Sequence, residues 1–428
     1  MDMRVEPIKG LSGELKAPPS KSHIHRALIM GSLAEGDTYI KNIGTPSAKH
    51  SANIRAIEAF GARVERIRGG YKVTGSPYKT PDDILDVGNS GTTISFLLGV
   101  SATAPGATVF TGDESIRKRP LGPLLDALGQ IGIECWSTRN NGLPPIVVKG
   151  GGIRGGSCKV SGFISQWTSS LLLAAPLAEH DTQIQIIDKA REWPYIEMTC
   201  AMLKEFGVII SKEERGYFEV PSNQSYRPAV VEIPGDFGLA AFGLAASALG
   251  DSTVTFRNLD MKTIHGEKSI VDFLRAMGAD VRVDGQSRSI RVNGGRRLEG
   301  IEMDVMDSPD NVPILAVLGS LAKGKTIIYN AEQTRYKECD RIKAMLQLKR
   351  MGAKIEEREY GLEIEGVDEL KGSEIESFGD HRVMMAFVVA GCYATGGTII
   401  SNAECFRISY PSFMRDMAKV GMKLRWSS

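Results

Sequence analysis

The sequence is short of the features that usually declare a function. It has no CxxC pair: Cys135, Cys158, Cys200, Cys339, Cys392 and Cys405 are scattered. That disfavours structural zinc and a disulfide scaffold, and fits reduced cytosolic thiols. The six histidines are equally dispersed. His23 and His25 have no third ligand near them, and no HExxH or EF-hand pattern occurs, so no metal site and no cofactor are expected. Charge of one sign is not in excess. Lys plus Arg is 52 and Asp plus Glu is 51, so no nucleic-acid-binding surface is expected, while a local cationic pocket stays compatible. No apolar run reaches the ~18 residues of a membrane span. The start, MDMRVEPIKG, lacks the apolar segment of a secretory signal, so a cytoplasmic protein is expected. What remains is a composition of 42% apolar and 24% charged residues over 428 positions, ordinary for a folded chain of two or three domains.

What is present is repetition. Six segments end a predicted helix with an apolar residue, then glycine, then a short strand: FGARVERI, IGIECWS, FGVIISK, MGADVRV, MGAKIEE and VGMKLRW. Their glycines, Gly61, Gly132, Gly207, Gly278, Gly352 and Gly421, lie 69 to 75 residues apart. Glycine suits a left-handed helix end because it lacks a Cβ. A second marker keeps the same beat. Thr38, Thr108, Thr182, Thr253, Thr326 and Thr398 each open a β-rich stretch after a small polar turn, 70 to 74 residues apart. Within each repeat one helix is amphipathic, as in VDFLRAMGA, where Val271, Phe273, Leu274 and Met277 share a side. The other is almost wholly apolar, as in GLAAFGLAASALG, and such helices are buried all round.

The expectation is an α/β (α+β) fold of two inside-out, barrel-like domains, helices within and sheets outside. Each holds three βαβαββ-type repeats. Proline-containing segments at 15–22 and 231–238 suit chain crossovers. They divide the chain into a domain over 20–233 and a second made of 1–19 plus 234–428, joined by two hinge strands that allow opening and closing.

Polar clusters recur at the starts of the apolar helices. PPSKSHIHR carries Lys21 and Arg26, and DVGNSGTTISF carries Asn89, Ser90, Gly91 and Thr92. A helix start offers free N–H groups to an anion, and glycine admits close approach. TGDESIRKRPLG carries Arg119, SGFISQW carries Ser165 and Gln166, and MDSPDNVPILAVLG carries Asp310. RYKECDRIK carries Lys337, Glu338, Asp340 and Arg341, and FGDHRVMMAF carries Asp380, His381 and Arg382. A solvated face is the ordinary reading of the basic run at 117–119, but it is weak at 380–382, where apolar sequence follows at once. Lys21, Arg26, Arg119, Lys337, Arg341 and Arg382 are expected to converge in a cleft between the halves. There they would take a small, multiply anionic ligand. Asp310 and Glu338 are the carboxylates available for proton transfer.

These segments, taken in order with WPYIEMT and PGDFGLAAF, resemble the 5-enolpyruvylshikimate-3-phosphate (EPSP) synthase family over nearly the full length. The resemblance implies two inside-out α/β domains of three repeats each. It also implies transfer of the enolpyruvyl group of phosphoenolpyruvate to the 5-hydroxyl of shikimate 3-phosphate, in the pathway to chorismate and the aromatic amino acids. Phosphate leaves after a tetrahedral intermediate. By resemblance Lys21, Ser22, Arg26, Ser165, Gln166, Tyr195, Asp310 and Lys337 would hold shikimate 3-phosphate. Lys21, Asn89, Gly91, Arg119, Gln166, Arg341 and Arg382 would hold phosphoenolpyruvate. Asp310 would be the base on the hydroxyl, with Lys21 and Glu338 serving proton traffic at the methylene carbon. The expected partners are these two small molecules, without nucleic acid or membrane, and a monomer is expected.

The chain departs from the family pattern at several places. Ile408 stands where a lysine usually holds phosphoenolpyruvate, with Arg407 expected to point away if that segment is a regular strand. Ser95 replaces an arginine, Ser47, Ala48, Lys49 and His50 replace an acidic pair, and Arg191, Glu192 and Trp193 precede PYI. The usual double serine before Gln166 is reduced to Ser165. These departures keep a second reading open: a paralogue acting on another phosphorylated alcohol, or eliminating phosphate from a related substrate. A UDP-N-acetylglucosamine enolpyruvyl transferase is disfavoured because its loop cysteine has no counterpart in TGDESIRKRPLG. A non-catalytic ligand-binding relative is disfavoured by the presence of Asp310, Glu338 and Arg341, and an RNA-processing relative by the neutral charge.

Overall fold

The structure is a computed structural model that describes residues 1–427. The chain forms two compact units. One is contiguous, Pro19–Ile233; the other, split in sequence, joins Met1–Pro18 to the chain from Pro234 onward. The contiguous unit carries α1 (Lys21–Leu33), α2 (Ala48–Ala59), α3 (Gly91–Val100), α4 (Gly122–Gln130), α5 (Ser165–Ala174) and α6 (Trp193–Glu205). The split unit carries α7 (Phe237–Ala248), α8 (Ile270–Ala276), α9 (Val312–Leu321), α10 (Arg341–Met345), α11 (His381–Cys392) and α12 (Phe413–Lys419).

Hydrophobicity sorts these helices into two sets. The odd-numbered ones are apolar around most of their circumference, and every residue of α7 and α11 is buried. They pack on one another, α3 against α1 and α5, and α11 against α7 and α9. The even-numbered ones bury one face. In α8 and its C-cap Val271, Leu274 and Met277 are fully buried, and Phe273 packs half-buried against the same core. Each fully buried large apolar side chain, such as Phe242 or Phe387, stabilises its unit by roughly 1.5–3 kcal/mol.

Among the described residues, six four-stranded sheets of one topology stand around the inner helices. In each, a first pair of strands is parallel and the next two pairings are antiparallel. The six glycines at the helix ends adopt φ between 78° and 113°, a region where a Cβ is disfavoured. The threonine marker holds in five repeats, where the residue is buried. It slips in the fourth: Thr253 is exposed, and Val254, opposite Val292, takes the inward place. The strand pleat fixes this, because a shift of one residue turns a side chain to the other face.

Each unit closes on itself. Strand Val230–Glu232 completes the first repeat's sheet beside Gly36–Lys41. In the split unit Ser12–Lys16 lies beside Thr253–Arg257, and Met3–Glu6 sits between Thr398–Ser401 and Lys423–Trp426. The inner helices in each unit begin where the polar motifs lie.

Candidate active site

In the contiguous unit, Lys21 opens α1, Gly91 opens α3 and Ser165 opens α5. Ser20 caps α1 and Ser90 caps α3 through their side-chain oxygens. Arg119 lies against the start of α3: a Cβ on Gly91 would come 2.4 Å from its Nη1. With glycine there the guanidinium can sit where a side chain would otherwise have to displace it, so α3's free N–H groups and a cation face the same place. Asn89, just before, donates to Asp113 at 2.6 Å. Gln166 ties α5 to α3, donating to Thr92 Oγ1 at 3.1 Å and accepting from Ser95 Oγ at 3.4 Å.

Arg26 is buried and crowded with acceptors. Its Nε donates to Thr199 Oγ1 at 2.8 Å, Nη2 to the Tyr195 carbonyl at 2.9 Å and Nη1 to the Ser22 carbonyl at 3.1 Å. Its guanidinium also lies over the Phe96 ring, 4.9 Å from the centroid. Burial pushes its pKa down to about 10, against the opposing charges of Tyr195, Cys200 and Glu192. It remains a cation at neutral pH. These bonds bring Ser22, Arg26 and Tyr195 together and fix α6 to α1. Ser165 is also engaged, donating to Glu192 Oε2 at 2.7 Å.

Beneath Lys21 lies a buried cluster that sequence reading left unassigned. Lys49, His50 and Asn53 of α2 are buried against His25 of α1. Asn53 Nδ2 donates to His25 Nδ1 at 2.7 Å, and the two imidazoles meet edge-on at 5.6 Å. Burial holds His25 well below the ordinary histidine value, and the charges of His50, Lys21, Lys49 and Arg26 push it the same way. Positions 47–50, where the family's acidic pair is replaced, form the capped start of α2. Ser47 caps α2, and its box with His50 draws the next residues inward. Short polar residues at 47 and 53 were the signal, an S-x-x-H start with asparagine two turns into the α1–α2 contact.

In the split unit four expected residues meet. Arg341, 1% exposed, donates from Nη1 to Asp310 Oδ1 at 2.6 Å, from Nη2 to Glu338 Oε2 at 2.8 Å and from Nε to Asp380 Oδ2 at 2.7 Å. Arg382 Nη2 reaches the other oxygen of Asp310 at 2.6 Å, and its Nη1 donates to the Gly238 carbonyl at 2.8 Å. Asp310 is thus held by two guanidiniums, one per oxygen. Burial opposes the charge of Arg341, but the three carboxylates hold its pKa well above the usual value. Asp380 caps α11, accepting from the Arg382 and Val383 amides. Lys337 directly precedes Glu338, half-buried. The ligand atoms of Glu338, Asp380 and His381 fall within 4.8 Å of one another, close enough to hold a cation, and Arg341 already supplies that charge. Behind Arg382, buried His265 lies 3.0 Å from Glu267 and 3.5 Å from Asp236. Burial alone would lower its pKa, yet the two carboxylates raise it to about 9.

One expectation about local structure is corrected. Residues 407 and 408 belong to a 3-10 helix, Ala403–Ile408, and not to a strand. Arg407 turns its guanidinium over Phe406 and Trp426, at 5.9 and 5.8 Å. Ile408 packs half-buried against the unit's core.

The arrangement matches known proteins along its whole length. The profile of EPSP synthase (3-phosphoshikimate 1-carboxyvinyltransferase) matches residues 5–417. The chain belongs to the EPSP synthase family. A 3-phosphoshikimate 1-carboxyvinyltransferase of Methanocaldococcus jannaschii is 42% identical over 419 residues, 97% of each chain. One from Methanocella arvoryzae is 44% identical over 419 residues, covering 96% of this chain and 97% of that one. The EPSP synthase of Acinetobacter baumannii superposes with a TM-score of 0.83 at 28% identity, covering all of both chains. The enolpyruvyl transferase NikO of Streptomyces tendae shares the fold, with a TM-score of 0.81 at 17% identity over 99% of this chain and 98% of that one. The repeated α/β architecture is therefore that of this family. Among the described residues no helix is long and apolar enough to cross a membrane.

Proposed function

We infer that this protein transfers the 1-carboxyvinyl group of phosphoenolpyruvate to the 5-hydroxyl of shikimate 3-phosphate and releases phosphate, a step of aromatic amino acid biosynthesis. Membership of the family over nearly the whole chain carries the reading. The chemistry asks for two things: neutralisation of two polyanions, and proton transfer at an alcohol and at a methylene carbon. Lys21, Asn89, Gly91, Arg119, Gln166, Arg341 and Arg382 are assigned to phosphoenolpyruvate. Lys21, Ser22, Arg26, Ser165, Gln166, Tyr195, Asp310 and Lys337 are assigned to the acceptor. The contact of Arg119 with Gly91 and the double clasp on Asp310 support these roles.

In the proposed sequence Asp310 takes the proton of the 5-hydroxyl as its oxygen attacks C2 of phosphoenolpyruvate. A proton from Lys21 or Glu338 enters at C3, giving the tetrahedral adduct. Loss of a proton from that carbon, with the C–O bond to phosphate breaking, restores the double bond in the product. The arginines now bound to Asp310, Glu338 and Asp380 are the cations that anionic substrate would share or take over. The protein is read as a cytoplasmic monomer, which sedimentation of the purified protein checks. Release of phosphate that requires both substrates tests the transfer; none from folded protein would refute it. The competing reading, transfer to a different phosphorylated alcohol, draws on Ile408 and Glu192, and mass analysis of the product separates the two.

A further inference from the structure

Arg382 is fixed more lightly than its neighbour. Its buried guanidinium makes two polar contacts, Nη2 to Asp310 Oδ2 at 2.6 Å and Nη1 to the Gly238 carbonyl at 2.8 Å. Its Nε finds no partner among the described residues. Arg341, by contrast, is pinned by three carboxylates. The place of Arg382 is therefore set by one carboxylate and by the backbone of α7.

Gly238 is the second residue of that helix, Phe237–Ala248. Its φ is not positive, so the chain conformation does not ask for glycine, and glycine is a poorer helix former than alanine. Space asks for it instead. A Cβ there would come 2.9 Å from Arg382 Nη1, 3.3 Å from Arg382 Nη2 and 3.2 Å from Glu267 Cγ. One of these neighbours has to give. Glu267 is fully buried, its carboxylate lies 3.0 Å from His265, and its carbonyl accepts from Asn311 at 3.3 Å. The tip of a long side chain yields more readily, so the guanidinium is what an added methyl group would push.

We propose that Gly238 is a positioning residue for the transfer: its missing side chain lets Arg382 lie against the α7 backbone and keep its hold on Asp310. It acts through Arg382 and has no role at the reacting atoms. The proposal rests on the reading of Arg382 and Asp310 as site residues given above. A double-mutant cycle on the full-length protein, with Gly238→Ala, Arg382→Lys and both together, tests it. Lysine has no outer guanidinium nitrogens, so the methyl group has nothing to displace. Gly238→Ala alone is expected to lower kcat/KM for phosphoenolpyruvate at least tenfold, and less than twofold in the Arg382→Lys background. An equal effect in both backgrounds, or no effect in the first, overturns the proposal. If Gly238→Ala does not fold, folding of the double variant supports the proposal and its failure to fold overturns it. Should the wild type release no phosphate from the two substrates together, the transfer reading falls, and the cycle is then decided by denaturant unfolding. There Gly238→Ala is expected to lower the midpoint beside the native arginine but not in the Arg382→Lys background, and the same shift in both overturns the proposal.

Discussion

Asp310 lies under two arginines, yet its proposed task is to accept a proton. The tension resolves if anionic substrate draws Arg341 and Arg382 away, leaving the carboxylate less neutralised when the hydroxyl arrives. Asp310→Ala is expected to lower turnover by at least about 100-fold, the scale of a lost general base, with acceptor affinity changed only a few-fold. Near-normal turnover, read by phosphate release, would remove Asp310 from the chemistry. Ile408 offers the opposite experiment. A lysine there adds a charge-assisted contact worth roughly 1.5–3 kcal/mol, so Ile408→Lys is expected to lower KM for phosphoenolpyruvate about tenfold or more. An unchanged or higher KM would place residue 408 outside that site. At this scale the sequence was informative where charge abuts an apolar helix: Asp310, Arg341 and Arg382 stand out because a solvated explanation fails. Lys49, His50 and Glu192 did not stand out. The S-x-x-H start marks a cap at 47–50, but the partners that bury His50 and Glu192, His25 and Ser165, lie 25 and 27 residues away, beyond what the cap itself reveals.

The repeats were legible because two physical demands recur at one period: a left-handed glycine at a helix end and an inward side chain on the following strand. What local pattern missed is where an element shortens. The helix expected before Gly352 is a five-residue α10 continued by a 3-10 turn, Leu346–Met351. The inward threonines hold a further lesson. The hydroxyls of Thr108, Thr182, Thr326 and Thr398 are buried and find no partner among the described residues, and a buried hydroxyl left unpaired costs stability. The fourth repeat already carries valine in that place. Thr326→Val is therefore expected to stabilise the protein by about 1 kcal/mol in denaturant unfolding; a loss of stability would mean the hydroxyl has a partner the geometry does not reveal.

Across the molecule, the two units carry histidines of opposite character. His265 in the split unit has its pKa raised, so its stabilisation is complete below the unfolded value of about 6.5 and is lost as pH rises through about 9. His25 in the contiguous unit has its pKa depressed. The unfolded chain then binds the extra proton, and stability is lost as pH falls below about 6.5. Amide exchange at pH 5.5 and 8.5 is expected to show the contiguous unit loosening more in acid and the split unit more in alkali. The same order of protection at both pH values would contradict this. His265→Gln is expected to flatten the alkaline limb.

The closing strands also impose a schedule on synthesis. The contiguous unit has every strand it needs once the ribosome has released Val230–Glu232, because that segment completes the sheet begun at Gly36. The other unit is different, since Met3–Glu6 stays without both neighbours until Thr398–Ser401 and Lys423–Trp426 emerge. A nascent chain stalled near its midpoint would thus carry one finished body and two orphaned strands, since Ser12–Lys16 also waits for Thr253–Arg257, exposed edges of the kind that chaperones hold.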